Sequence, residues 1–195
     1  MRATTPAGWL HINLLSVLVA LTALAGPARA DAGAEAAWTV LSQGGIVLFR
    51  HANAPGGGDP EGMRLGNCAT QRNLDAEGRA QAGRIGDAFR VRAIAVGAVL
   101  VSQWCRTTET AEIAFPGRAK AEPAFNSFFG RPADGPAQTR AALAVLDAWR
   151  GPGALVVSSH QVNITALTGI FPASGEGIVV DRRNGVWTVV GRIRP

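Results

Sequence analysis

The stretch Ile46-Val47-Leu48-Phe49-Arg50-His51-Ala52 decides how the rest of this sequence is read. Four apolar residues run without a break into an arginine and a histidine. A run with no polar alternation fits a strand covered on both faces, as in a parallel sheet. In open α/β sheets ligands sit outside the carboxyl ends of the strands, so Arg50 and His51 stand where chemistry is done.

Outward from that strand the pattern repeats. Val96 to Val101 reads as a second buried strand, ending at Ser102-Gln103-Trp104-Cys105-Arg106, and Ala154 to Ser158 as another, ending at Ser159-His160. The stretches between suit helices. Glu35 to Gln43 places Trp38 and Leu41 on one face and is stopped by Gly44-Gly45. Ala76 to Val91 is N-capped by Asp75, has Glu77 in its first turn, and turns Ala80, Ile85, Ala88 and Phe89 mainly inward. Thr107 to Phe115 follows the second strand directly, so Arg106 stands among the backbone N–H groups of a helix start, which favour an anion. Pro136 to Arg150 buries Leu143, Leu146 and Trp149. Ala119 to Phe125 reads as a short third strand, and Ile178 to Asp181 with Val186 to Val190 as a hairpin turning at Asn184-Gly185. The expected fold is α/β: three layers, a mostly parallel central sheet flanked by helices, with an antiparallel edge hairpin.

Length and composition agree with a single domain. The chain has 195 residues, 47% of them apolar, enough for one sizeable core. Met1-Arg2, the apolar run from Leu14 to Ala25 and the small-x-small site Ala28-Arg29-Ala30 read as a cleavable export signal over residues 1–30, leaving residues 31–195 as the domain. The apolar run is too short for a comfortable membrane span, so no stable anchor is expected after cleavage, and the location is periplasmic or secreted. Cleavage removes Arg2 and Arg29 and no acid, lowering the net charge from +5 to +3. That is too mild, and too scattered, for a nucleic-acid partner. All basic residues except Lys120 are arginines, whose planar forks suit phosphate and carboxylate, although a codon bias explains most of those on the surface. Cys68 and Cys105 are an even pair in an exported chain and are expected to form a disulfide. Neither fits a cysteine-nucleophile phosphatase, because Arg72 is four residues after Cys68 and Arg106 is next to Cys105.

Ala54-Pro55-Gly56-Gly57-Gly58-Asp59-Pro60-Glu61-Gly62 is a loop by any turn rule and lies beside the first strand end, where it can close over a ligand. It is not a nucleotide P-loop, since no Gly-Lys-Ser/Thr follows.

Taken in order, Leu48-Phe49-Arg50-His51-Ala52, then Leu74 through Ala82, then Ser102 through Arg106 with Glu109-Thr110-Ala111, then Ser159-His160 resemble the histidine phosphatase superfamily, related to phosphoglycerate mutase. The resemblance runs from about Gly45 to Thr168. It implies a metal-independent, cofactor-free phosphoric monoester hydrolase in which His51 forms a phosphohistidine while Arg50, Arg106 and His160 clamp the phosphoryl oxygens. Read from the residues themselves, Asn53 and Asn163 could add uncharged donors to the pocket, and Arg64 and Arg72, which flank Cys68, could meet an anionic substrate at the mouth or pair with Asp59, Glu61 or Asp75; the pairing is the expectation for Arg72, and Arg64 is left between the two.

Two departures bear on the substrate. Gln161 stands where acid-phosphatase-like members carry an aspartic proton donor, and Asn126 takes the place of the glutamate used by the other branch. Asp59 and Glu61, from the glycine loop, are the substitute candidates for general acid, with Asp134 a weaker one. Glu109, one turn after Arg106, is expected to hold an arginine in place. The expected partner is a small phosphorylated substrate, with an envelope component as one guess. The alternative is a phosphate-ester-binding protein with little turnover, because the usual acid is missing. A zinc site on His51 and His160 lacks a placed third ligand.

Overall fold

The computed structural model describes Met1 and residues 27–195. The body of the expected export signal lies outside the described residues, and the site Ala28-Arg29-Ala30 falls in the first turn of a helix, α1 (Pro27–Ser42). This helix is longer at its N-terminus than the expected Glu35 to Gln43, because the alanine-rich segment before Glu35 continues it.

Six strands form one sheet in the order β3-β2-β4-β1-β5-β6. β1 (Ile46–Arg50), β2 (Val96–Val101), β3 (Ala119–Ala121) and β4 (Ala154–Ser159) are mutually parallel, while β5 (Gly177–Arg183) and β6 (Val186–Ile193) form an antiparallel pair at one edge. The fold is therefore the expected α/β one. β1 is central, with β4 on one side and β5 on the other, and its residues alternate between two cores. Val47 and Phe49 pack with Trp38 and Leu41 of α1, Ile85 and Phe89 of α2 (Ala76–Val91) and Ala111 of α3 (Cys105–Ala114). Ile46 and Leu48 pack on the opposite face with Leu146 of α4 (Gly135–Ala148) and Ile164 of α5 (Gln161–Thr168). Covering both faces is what requires the unbroken apolar run.

Some boundaries differ from those expected. β3 stops at Ala121 because Pro123 cannot donate to a ladder, and Pro123–Phe125 form a 3-10 turn instead. In α2 Ala82 is buried and Ala80 exposed: the buried row Gly78, Ala82, Ile85, Gly86, Phe89 has helical spacing, and Ala80 falls outside it. Leu143 and Trp149 are half-buried, β2 is only partly buried, and α5 was not expected at all. The hairpin turns at Asn184 and Gly185, both at positive φ (51° and 82°), the backbone a two-residue turn of this hand needs.

Because β1, β2 and β4 are parallel and paired, their carboxyl ends meet. Arg50 lies opposite Ser159, and Val101 opposite Ser158, so His51, Ser102 and His160 emerge side by side.

Candidate active site

These three strand ends open into a cavity of about 740 Å³ lined by Arg50, His51, Arg106 and His160. The two histidine rings stand 5.6 Å apart at 67°. His51 Nδ1 lies 2.8 Å from the carbonyl oxygen of Ala52. A carbonyl only accepts, so Nδ1 carries the hydrogen and Nε2 keeps its lone pair. Burial pushes the His51 pKa down to about 3, the positive charges of Arg106, Arg72 and Arg50 add to this, and the bond to Ala52 opposes it. His51 is thus a neutral imidazole with one nitrogen committed to a backbone carbonyl and one free.

His160 Nε2 is 2.7 Å from the hydroxyl of Ser102, a fully buried residue. A guanidinium only donates, so the Nδ1 that faces Arg106 accepts, the ring hydrogen of His160 sits on Nε2 and goes to the Ser102 hydroxyl, and the second lone pair of that hydroxyl receives the Trp104 backbone N–H. His160 Nδ1 lies 3.5 Å from Arg106 Nη2. Burial, then the neighbouring His51 and arginines, holds His160 well below the ordinary histidine range.

Four guanidiniums border the cavity: the exposed Arg131, paired with Asp134, and three that are at least partly buried, Arg50, Arg72 and Arg106. Arg50 donates to Pro172 O at 3.0 Å, and Arg72 to Ala54 O. Burial and the charge of Arg106 push Arg50 and Arg72 below the ordinary guanidinium range. The Nε atoms of Arg50, Arg72 and Arg106 are buried without a hydrogen-bond partner. Clustered cations with unspent donors are a poor arrangement alone and a good one around an anion.

The one carboxylate lining the cavity, among the described residues, is Asp59. It receives Arg106 Nη1 at 2.7 Å and Nη2 at 3.2 Å, Trp104 Nε1 at 2.9 Å and the Arg72 backbone N–H at 3.1 Å. Burial alone would raise its pKa, but these donors outweigh it and hold the carboxyl below the usual range. In this arrangement Asp59 is ionised and pins the glycine loop onto Arg106, and it has no proton to donate.

Other candidates lie elsewhere. Glu61 is exposed and Asp134 pairs with Arg131 at 3.1 Å, both off the cavity wall. Asn53 is turned to Asp75 (2.8 Å), the N-cap of α2, and Asn163 to Asn126 O (2.8 Å), so both brace loops instead of lining the cavity. Arg64 is exposed and away from the wall, with its backbone holding Thr70 and Gln71. Arg72, four residues beyond Cys68, meets Asp59 through its backbone N–H, while its guanidinium borders the cavity. Glu109 pairs with Arg79 at 2.6 Å.

Cys68 and Cys105 form a disulfide. With Gln71 Oε1 accepting from Cys105 N (2.9 Å) and Arg106 Nη1 reaching Arg72 O (3.3 Å), it fastens the segment after the glycine loop to the start of α3. Among the described residues no group of three metal-ligating side chains forms, and no helix is long and apolar enough to cross a membrane.

No sequence-family model matches the chain, and no curated protein matches it. Comparison with solved structures does find its fold. The alpha-ribazole phosphatase from Shigella flexneri aligns at a TM-score of 0.56 and 16% identity, covering 76% of this chain and 96% of that one. The protein histidine phosphatase SixA, solved with tungstate, aligns at 0.53 and 16%, covering 77% and 96%. A phosphoserine phosphatase from Entamoeba histolytica, solved as a mutant with phosphoserine, aligns at 0.54 and 12%, covering 75% and 95%. The chain has the fold of the histidine phosphatase superfamily, the phosphoglycerate mutase-like architecture.

Proposed function

We propose that the protein is a phosphatase that passes a phosphoryl group from a phosphomonoester, or another phosphoryl compound, to His51 and then to water. The observation that carries this reading is a neutral imidazole, with Nδ1–H bound to Ala52 O, in one cavity with three at least partly buried guanidiniums. In the first step the Nε2 lone pair forms the N–P bond as the bond from phosphorus to the leaving oxygen breaks, its electron pair departing with that oxygen. Water then attacks the phosphohistidine, the N–P bond breaks, and His51 regains its lone pair. Arg50, Arg72 and Arg106 hold the non-bridging oxygens, and His160, whose Nδ1 accepts from Arg106, aims that guanidinium instead of clamping the oxygens itself. Phosphoryl transfer needs chiefly such positioning and charge. The scheme uses no metal or cofactor. The shared fold with SixA and alpha-ribazole phosphatase supports the class. The leader-like N-terminus and the disulfide support work outside the cytoplasm, on an envelope or scavenged phosphate compound.

The test is hydrolysis of p-nitrophenyl phosphate without added metal by the purified chain and by His51→Ala. The variant is expected to lose at least about 1,000-fold in kcat/KM. Equal rates for both would overturn the reading. A second reading, a phosphate-ester-binding protein with little turnover, is favoured by the ionised state of Asp59. It predicts vanadate or phosphate binding with no hydrolysis by either protein.

A further inference from the structure

Resting on the phosphatase reading above, we infer that the substrates are aryl phosphomonoesters: one phosphoryl group on a phenol-type oxygen, with no amino group beside it. Two independent observations converge on this class. The first is the collar of the cavity. Leu65, Phe129 and Phe171 are 45%, 63% and 65% exposed, and all three border the same opening, joined by Met63 and Val162. Exposed apolar side chains scattered singly need no explanation. Here half of the large exposed hydrophobic residues, among those described, surround one cavity with a charged floor, which is the make-up of a ligand site with an apolar end. At about 740 Å³ the cavity has room for much more than a phosphoryl group.

The second observation is the supply of protons. Asp59 is engaged by four donors, the His51 hydrogen is bound to Ala52 O, the His160 hydrogen to the Ser102 hydroxyl, and no other carboxylate lines the wall among the described residues. An aliphatic alkoxide, nearly as basic as hydroxide, would have to leave without protonation. A phenolate leaves far more readily, since phenol-type oxygens such as that of tyrosine have pKa values of about 10. An aromatic aglycone meets both conditions: it stabilises the departing oxygen, and its ring packs against the collar.

Charge sets the remainder. Three guanidiniums against one carboxylate leave two net positive charges, matching one phosphoryl dianion. Arg131, also on the wall, is paired with Asp134. Among the described residues no free carboxylate is present on the wall to meet an ammonium group, so esters of amino alcohols find no partner there.

The experiment compares naphthyl phosphate, dodecyl phosphate, glycerol phosphate and acetyl phosphate as substrates of the purified chain, with His51→Ala as control. Acetyl phosphate, whose leaving acetate needs no acid and has no ring, reports on the phosphohistidine reading alone. Naphthyl phosphate is expected to exceed glycerol phosphate and dodecyl phosphate by about 100-fold or more in kcat/KM. Phe129→Ala is expected to raise KM for naphthyl phosphate about 5-fold more than for acetyl phosphate. If acetyl phosphate is hydrolysed through His51 while naphthyl phosphate is no better than glycerol phosphate, the inference fails and the reading stands. Dodecyl phosphate equal to naphthyl phosphate would overturn the aromatic assignment in favour of any apolar aglycone. Hydrolysis of none of the four would overturn the reading and the inference together.

Discussion

Nδ1 of His51 donates to the carbonyl of its own neighbour, Ala52, so the nitrogen left to react is chosen before any substrate arrives. The same burial that keeps the ring neutral has a cost in acid. With a pKa of about 3 when folded and 6.5 when free, His51 binds fewer protons folded than unfolded between those values. Its contribution to stability is therefore complete above pH 6.5 and is lost as pH falls toward 3, and His160 acts with the same sign. In pH–rate profiles His51 is expected to add no acid limb near neutrality, because it is already neutral there. Asp59 makes a separate prediction. Asp59→Asn leaves three clustered guanidiniums without a counter-charge, which is expected to cost about 2–3 kcal/mol, and melts in phosphate-free buffer would show it. Added phosphate should raise the melting temperature of this variant more than that of the parent. Arg50, His51 and His160 were legible in sequence because each closes or directly follows an apolar strand, and Arg106 because it stands at the helix start after one. Arg72 was not, since its place depends on where the disulfide and Asp59 carry its loop.

At the scale of elements, α2 and the β1 exit touch through backbone. A Cβ on Gly78 would come 2.0 Å from the Asn53 carbonyl oxygen, and that carbonyl also accepts from Asp75 N. Neither side can yield as a flexible side chain would. Gly78→Ala is expected to destabilise by about 3 kcal/mol or more and to displace the residues after His51, read as a lower denaturant midpoint together with reduced kcat/KM. The sequence announced α2 in full, through the Asp75 cap and its spacing. It did not announce α5: Gln161–Thr168 is rich in β-branched residues, and its helix rests on Ile164 entering the core and on Gly169 ending it in the left-handed region. Another signal was missed at Glu176, a fully buried carboxylate held by Arg192, Arg194 and the Ala173 N–H. Burial alone would raise its pKa, but these donors bring it down to about 2. It fixes the segment whose Pro172 carbonyl receives Arg50. Nothing local in sequence joins those residues, which meet only because β5 and β6 pair.

Over the whole molecule, the disulfide spans a sequence separation of 37 residues and joins two segments that supply Arg72 and Arg106. Replacing both cysteines by serine is expected to cost about 4 kcal/mol on the chain-entropy account, roughly 8–16 °C in melting temperature. KM should rise more than kcat falls, because the binding arginines loosen while His51 keeps its own carbonyl. The strand order has a consequence of another kind. β1, which carries the reactive histidine, lies between β4 and β5, whose pairing residues begin at Leu155 and Gly177. At ordinary rates of synthesis the hundred or so residues between β1 and these neighbours take on the order of 10 s to appear. Through that interval a strand with four consecutive apolar residues exists with neither neighbour, as an unpaired and sticky segment of a growing chain. The placement that brings the site together therefore also makes the nascent polypeptide dependent on being shielded until its last third has been made.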